Sequence, residues 1–254
     1  KRLLLAIMAL ACYTLSYSQL LTWTPDFAKE GDNITITVDA TKGNQGLLNY
    51  AGDVYVHIGL ITSASTNQGD WKYAPFGWAT TPVNGKATAA GTNKWSYTIN
   101  NIRSFFNVTN AGETIKAIAI LFRDAAGNRV QRNSNTSIWN GDMYVPVYDN
   151  GLYIRFIQPP FEPYYISTPE PINKQIGETI SVTAFASQSS AMKLYYNGTE
   201  VSSANNTTGI FHVVTLTSGG NTEIVAEANN GTTTKKDTLR FFVAGGINVA
   251  PLPA

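Results

Sequence analysis

Cysteine is nearly missing from this 254-residue chain: there is one, Cys12, and nothing downstream of it can form a disulfide. A small stapled fold is therefore excluded, and each folded unit has to bury a core of its own. Histidine is almost as scarce, with His57 and His212 far apart in sequence, so no His pair has metal-ligand spacing. No Asp-x-Asn-x-Asp calcium loop and no Gly-x-Ser-x-Gly nucleophile elbow occur. Asp124, Asp142 and Asp149 stand beside turn residues, where Asp caps its own backbone. No catalytic set, cofactor or metal is expected in this segment. Basic runs are also lacking beyond Lys235-Lys236, which removes the electrostatic footprint that nucleic-acid binding needs. The longest apolar run, Leu3–Ala11, is nine residues, too short for a bilayer span of about 20.

What is present begins with a leader. Lys1-Arg2, the apolar run and the small residues before Ser16-Tyr17-Ser18-Gln19 read as a signal peptide over 1–18, cleaved before Gln19. The alternative is a lipoprotein acylated at Cys12, but Ala9 is smaller than the aliphatic residue usual three places earlier. Either way the protein is expected to be exported, secreted or held at the outer cell surface. Without Lys1 and Arg2 the balance is 16 basic to 17 acidic residues, which suits an uncharged partner; a monomer is expected.

From Gln19 onward the pattern is strand and turn, which predicts an all-β fold of two consecutive antiparallel β-sandwiches. Ile34–Val38 and Val54–Ile58 alternate apolar and polar with period two, the second placing Tyr55 and His57 on the face opposite the core. Trp95, Tyr97 and Ile99 share one face and read as core. Thr114–Arg123 is almost continuously apolar, as expected of a central strand covered on both sides. This first sandwich spans 19–157. Dense prolines from Gln158-Pro159-Pro160 onward predict a boundary. The second sandwich, 158–245, has an immunoglobulin-like rhythm of about seven strands, including a hairpin at Asn197-Gly198. Residues 246–254, ending Pro251-Leu252-Pro253-Ala254, read as a linker to a further domain.

Aromatics concentrate in Asp70-Trp71-Lys72-Tyr73-Ala74-Pro75-Phe76-Gly77-Trp78. Sugar rings present flat C–H faces on which indole and phenol rings stack, while neighbouring polar groups bind the hydroxyls. Trp71, Tyr73 and Trp78 are therefore candidate carbohydrate contacts, with Tyr55 and His57 as possible additions to the platform. The competing reading makes the three rings a minor core capping the sandwich, since Trp is mostly buried on average. For His57 the more ordinary role is a solvated outer-face residue. Trp139, in a turn-rich stretch, is either a second exposed ring or, preferably, a plug over a sheet edge. Asn33, Asn107 and Asn197 begin glycosylation sequons, which a chain this rich in Asn and Thr contains by chance.

Several segments, Leu21–Pro25, Asp39–Leu47, Gly52–Gly59, Asp70–Tyr73, Ile118–Asp124 and Gly141–Tyr148, resemble the start of secreted α-amylase-family enzymes of Bacteroidota. In those proteins a starch-binding-like sandwich and an immunoglobulin-like module precede a catalytic (β/α)₈ barrel of glycoside hydrolase family 13. The resemblance implies a non-catalytic N-terminal segment that binds or positions α-glucan. The family's catalytic carboxylates and calcium site belong to the barrel and have no counterpart here. Trp71, Tyr73 and Trp78 are the positions that match the exposed aromatics of such modules. A stand-alone surface glycan binder or adhesin, and a pair of purely structural spacers, are the competing readings.

Overall fold

The computed structural model describes residues 19–78, 80–134, 139–159 and 174–245. The expected leader over 1–18, most of the expected proline-rich boundary and the expected linker over 246–254 lie outside the described residues. The fold is all-β. Its strands are β1 (Leu21–Thr24), β2 (Ile34–Asp39), β3 (Val54–Thr62), β4 (Thr88–Gly91), β5 (Lys94–Ile99), β6 (Ile115–Asp124), β7 (Val130–Gln131), β8 (Met143–Pro146), β9 (Ile154–Gln158), β10 (Lys174–Gln175), β11 (Thr179–Tyr196), β12 (Thr199–Thr215), β13 (Gly220–Asn229) and β14 (Thr234–Ala244). One short helix, α1 (Ile102–Phe105), is capped by the Asn101 side chain, which accepts the Ser104 N–H. Among the described residues no helix is long and apolar enough to cross a membrane.

Two antiparallel sheets form the first sandwich, one ordered β1-β2-β5-β4 and the other built on β3, β6, β7 and β8. Period-two alternation turns Ile34, Ile36 and Val38 inward from β2, and Trp95, Tyr97 and Ile99 from β5. They meet Val54, Val56, Ile58 and Leu60 of β3 and Ile118, Ile120 and Phe122 of β6 in one cluster. Each aliphatic side chain so buried contributes about 1.5–3 kcal/mol. Trp95 is core, as its spacing predicts. Burial pushes the Tyr97 hydroxyl up to about 12, and it donates to the Asn84 carbonyl.

The second sheet differs in its other face. From Gly59 to Thr62 on β3, and from Ala117 to Asp124 on β6, every residue is buried. The sequence predicts a layer on each side of β6, and there is one; on the outer side it is the segment after β3, not a third sheet. That segment is fastened along the free edge of β3. Leu60 and Lys72 exchange both backbone hydrogen bonds at 2.8 Å, and further along the Ala87 N–H donates to the Val54 carbonyl.

A second cluster begins at Leu152 and contains Phe156, whereas the first ends at Val147. The change of core thus precedes the boundary expected near 158, and β9 pairs with β11. Asn197 and Gly198 both take positive φ and close the β11–β12 hairpin, as the Asn-Gly signal predicts. β11 pairs with β9 over Thr183–Ala186 and with β13 over Ala191–Tyr196, and register shifts between Phe185 and Met192 mark the exchange. Six strands are described here, where about seven were expected. One pair, β10 with β14, is parallel, a departure from the all-antiparallel expectation.

Candidate functional site

Gly59 and Ala119 face each other across β3 and β6 on the outer side of the sheet. Two small residues opposite one another leave a trough, and the Trp71 indole lies in it. A Cβ on Gly59 would stand 3.3–3.4 Å from Trp71 carbons. Tyr144 of β8, in register with Ala119, presents its edge to the same indole at 6.5 Å. Its hydroxyl donates to the Gln68 carbonyl at 2.8 Å and so holds the loop ahead of Trp71.

One strand position from Gly59 on that face is His57. Its ring stacks on Trp71, with centroids 5.4 Å apart and planes inclined by 24°, and meets Trp78 edge-on at 5.0 Å. His57 Nδ1 and Trp71 Nε1 are shut away from solvent without a hydrogen-bond partner. Burial lowers the imidazole pKa below its usual 6.5, and the nearby Arg123 charge lowers it further. His57 is therefore not the solvated residue that its place on a strand suggests; it is half-buried and packed against two indoles.

Arg123 lies one position on, opposite Tyr55. It is fully buried, and its guanidinium carbon sits 5.6 Å from the Trp78 ring centre and 5.9 Å from that of Tyr55. It donates to the carbonyls of Asp124, Ala125 and Thr80, so the cation is held by backbone oxygens, and the last contact ties down the chain beyond Trp78. Trp78 also covers Gly127, whose φ is +73° and whose Cβ would stand 2.8 Å from the indole nitrogen. With one face on Arg123 and an edge on His57, Trp78 remains 39% exposed.

Tyr73 takes a separate role. It adopts φ +56°, an uncommon conformation for an aromatic residue. Its hydroxyl donates to Glu113 at 2.6 Å, and the same carboxylate accepts from Thr62. These hydrogen bonds, Thr62 first, hold the Glu113 carboxyl below its usual range. Phe76, from the middle of the aromatic stretch, turns the opposite way into the sandwich core.

The structure thus brings Tyr55, His57, Trp71 and Trp78 together on one outer face and leaves Tyr73 as a fastening of the loop. Sequence reasoning missed Arg123, Tyr144 and the two glycines. A lone Gly inside a strand, as at Gly59, signals close approach of another group and was the available clue. A groove of about 890 Å³, lined by none of these rings, is bordered by Asn49, Tyr50, Asp53, Lys86, Thr88 and Asn93 among others, with Asp53 and Lys86 paired at 2.8 Å. Among the described residues no cluster of His, Cys, Asp and Glu is placed to hold a metal ion. What the face leaves open to water is chiefly the Trp78 ring.

No protein-family model matches the chain, and no curated protein matches it. Solved structures with some likeness include the D0-D1 domain of Intimin, at 12% identity over 88% of this chain and 97% of that one, with a TM-score of 0.35. The BSP domain of a biofilm associated protein is 12% identical over 91% of this chain and 30% of that one, with a TM-score of 0.33. Fibronectin(III)-like modules of Clostridium thermocellum CbhA are 20% identical over 31% of this chain and 93% of that one, with a TM-score of 0.25.

Proposed function

We propose that this chain is the non-catalytic segment of an exported α-amylase-like glycoside hydrolase, in which the first sandwich binds α-glucan and the second serves as a spacer. The observation that carries this reading is Trp78: a large indole braced from below by Arg123 and Gly127 and left 39% open to water. A ring that shields roughly 80 Å² of apolar surface contributes about 2 kcal/mol at ~25 cal/mol per Å². One or two such contacts, less the cost of ordering the ligand, correspond to Kd values of roughly µM to mM. That affinity is enough for a polymer that presents many repeats. Trp71 does not share this role, because the trough over Gly59 commits it to the fold.

Isothermal titration of the chain with maltoheptaose, together with retention on insoluble starch, tests the proposal. The expected result is saturable binding that the Trp78→Ala variant loses. Absence of heat and of retention in the unmodified chain would remove the α-glucan claim.

A further inference from the structure

The two cores are joined by very little chain. Val147 closes the first cluster and Leu152 opens the second, so only Tyr148–Gly151 lie between them. A connector without other contacts leaves the units it joins free to reorient. This one is bonded on both sides. Toward the first sandwich, the Tyr148 N–H donates to the Ala28 carbonyl at 2.8 Å, and the Tyr148 ring meets Phe27 edge-on at 5.2 Å. The Lys29 ammonium donates to the Asn150 side-chain oxygen at 2.8 Å. Toward the second, Gln188 of β11 donates to the Asn150 carbonyl at 2.7 Å, and the Ser187 hydroxyl to the Gly151 carbonyl at 3.0 Å.

Arg155 of β9 crosses the same junction. Its neighbour Phe156 lies in the second core and donates its N–H to Asp237 of β14 at 2.8 Å, so the backbone here belongs to the second sandwich. The Arg155 side chain does not. Its guanidinium carbon sits 4.5 Å from the ring centre of Trp23, a member of the first core, and it donates to the Asp26 carboxylate at 3.3 Å. The Trp23 indole N–H donates to the Asp26 carbonyl at 3.2 Å, so ring and cation converge on one residue. Burial pushes the Tyr148 hydroxyl above its usual range and Arg155 acts in the opposite sense, which puts the same cation beside the connector. A planar guanidinium held at once by an aromatic face and a carboxylate is fixed in orientation as well as in distance.

We propose that Arg155 clamps the two sandwiches into one rigid arm, in which the second holds a fixed orientation to the first instead of swivelling on its connector. Relative motion is the ordinary state of linked domains unless a large apolar interface stops it. Here the stop is a bonded connector together with one cation that reaches from one sandwich to the other. An exposed ion pair would add little. Arg155 and Asp26 are both half-buried, and the stacking on Trp23 adds to their pairing. The inference goes beyond the glycan reading and does not depend on it. Where both hold, the Trp78 ring keeps one direction relative to the second sandwich.

Residual dipolar couplings of the full chain in a weakly aligning medium test this, with the backbone amides of each sandwich fitted separately. In the unmodified chain the two alignment tensors should coincide in size and direction. In Arg155→Ala they should separate, while the couplings within each sandwich still fit that sandwich's own fold. Should Arg155→Ala not fold, Arg155→Gln, which keeps an aliphatic stem and gives up the charge, takes its place with the same expected outcome. Different tensors in the unmodified chain would overturn the rigid arm. Tensors that coincide there and stay together in the folded variant would overturn the clamp. No sugar is present in the measurement, so its result is independent of whether the chain binds α-glucan.

Discussion

His57 lies almost flat on Trp71 while Trp78 meets it edge-on, so that one imidazole joins a half-buried indole to an exposed one. The arrangement divides two roles between rings that are indistinguishable in sequence. Trp71 covers the outer side of β3 and β6; Trp78 uses that covered surface as a base and faces water.

The division has a stability signature. Trp71→Ala should empty the trough over Gly59 and cost about 3 kcal/mol, in the range for large-to-small substitutions of packed aromatics. Trp78→Ala should cost under about 1 kcal/mol, because much of its surface is already solvated. Denaturant unfolding of both variants checks the contrast, and equal losses would contradict it.

Stability should also depend on pH through His57. Its pKa in the folded protein is below the usual 6.5, first because of burial and then because of Arg123. Between that lowered value and 6.5 the unfolded chain binds more protons than the folded one, so stability declines as pH falls below about 6.5. Above 6.5 the group makes no pH-dependent contribution. His57→Gln should remove this part of the acid sensitivity, seen as a flatter dependence of the thermal midpoint on pH in that range.

Gly127 carries two constraints at once, a φ of +73° and a Trp78 nitrogen 2.8 Å from where a Cβ would stand. Gly127→Ala should therefore destabilise by roughly 1–3 kcal/mol and also tilt Trp78 off its base. Glycan binding should weaken even at temperatures where the variant is fully folded. Unchanged binding by the folded variant would show that the indole does not depend on its seat.

Much of the scaffold was legible in the chain. The alternation in Ile34–Val38 and in Trp95–Ile99 gives the inner faces of one sheet, and Asn197-Gly198 gives the long hairpin. The apolar run of β6 correctly signals cover on both sides, but not that a loop supplies it, because periodicity records burial and not the identity of the covering element. The site was less legible for the same reason. Trp71, Phe76 and Trp78 are near neighbours in sequence, yet they go to a trough, a core and a water-facing perch. The selection is made by residues distant in sequence: Gly59 and Tyr144 for Trp71, Arg123 and Gly127 for Trp78. Proline density marks where strands cannot run, whereas the change of core is decided by where Leu152 and Phe156 pack.

The measurement closest to the central claim is a titration of the chain with maltoheptaose, followed through the indole N–H signals of its five tryptophans in proton–nitrogen NMR. Saturable shifts are expected at Trp78, with Trp95 and Trp23 in the core unmoved. If the sugar leaves every indole signal in place, or if Trp78→Ala binds it as tightly as the unmodified chain does, the exposed ring is not a glycan platform.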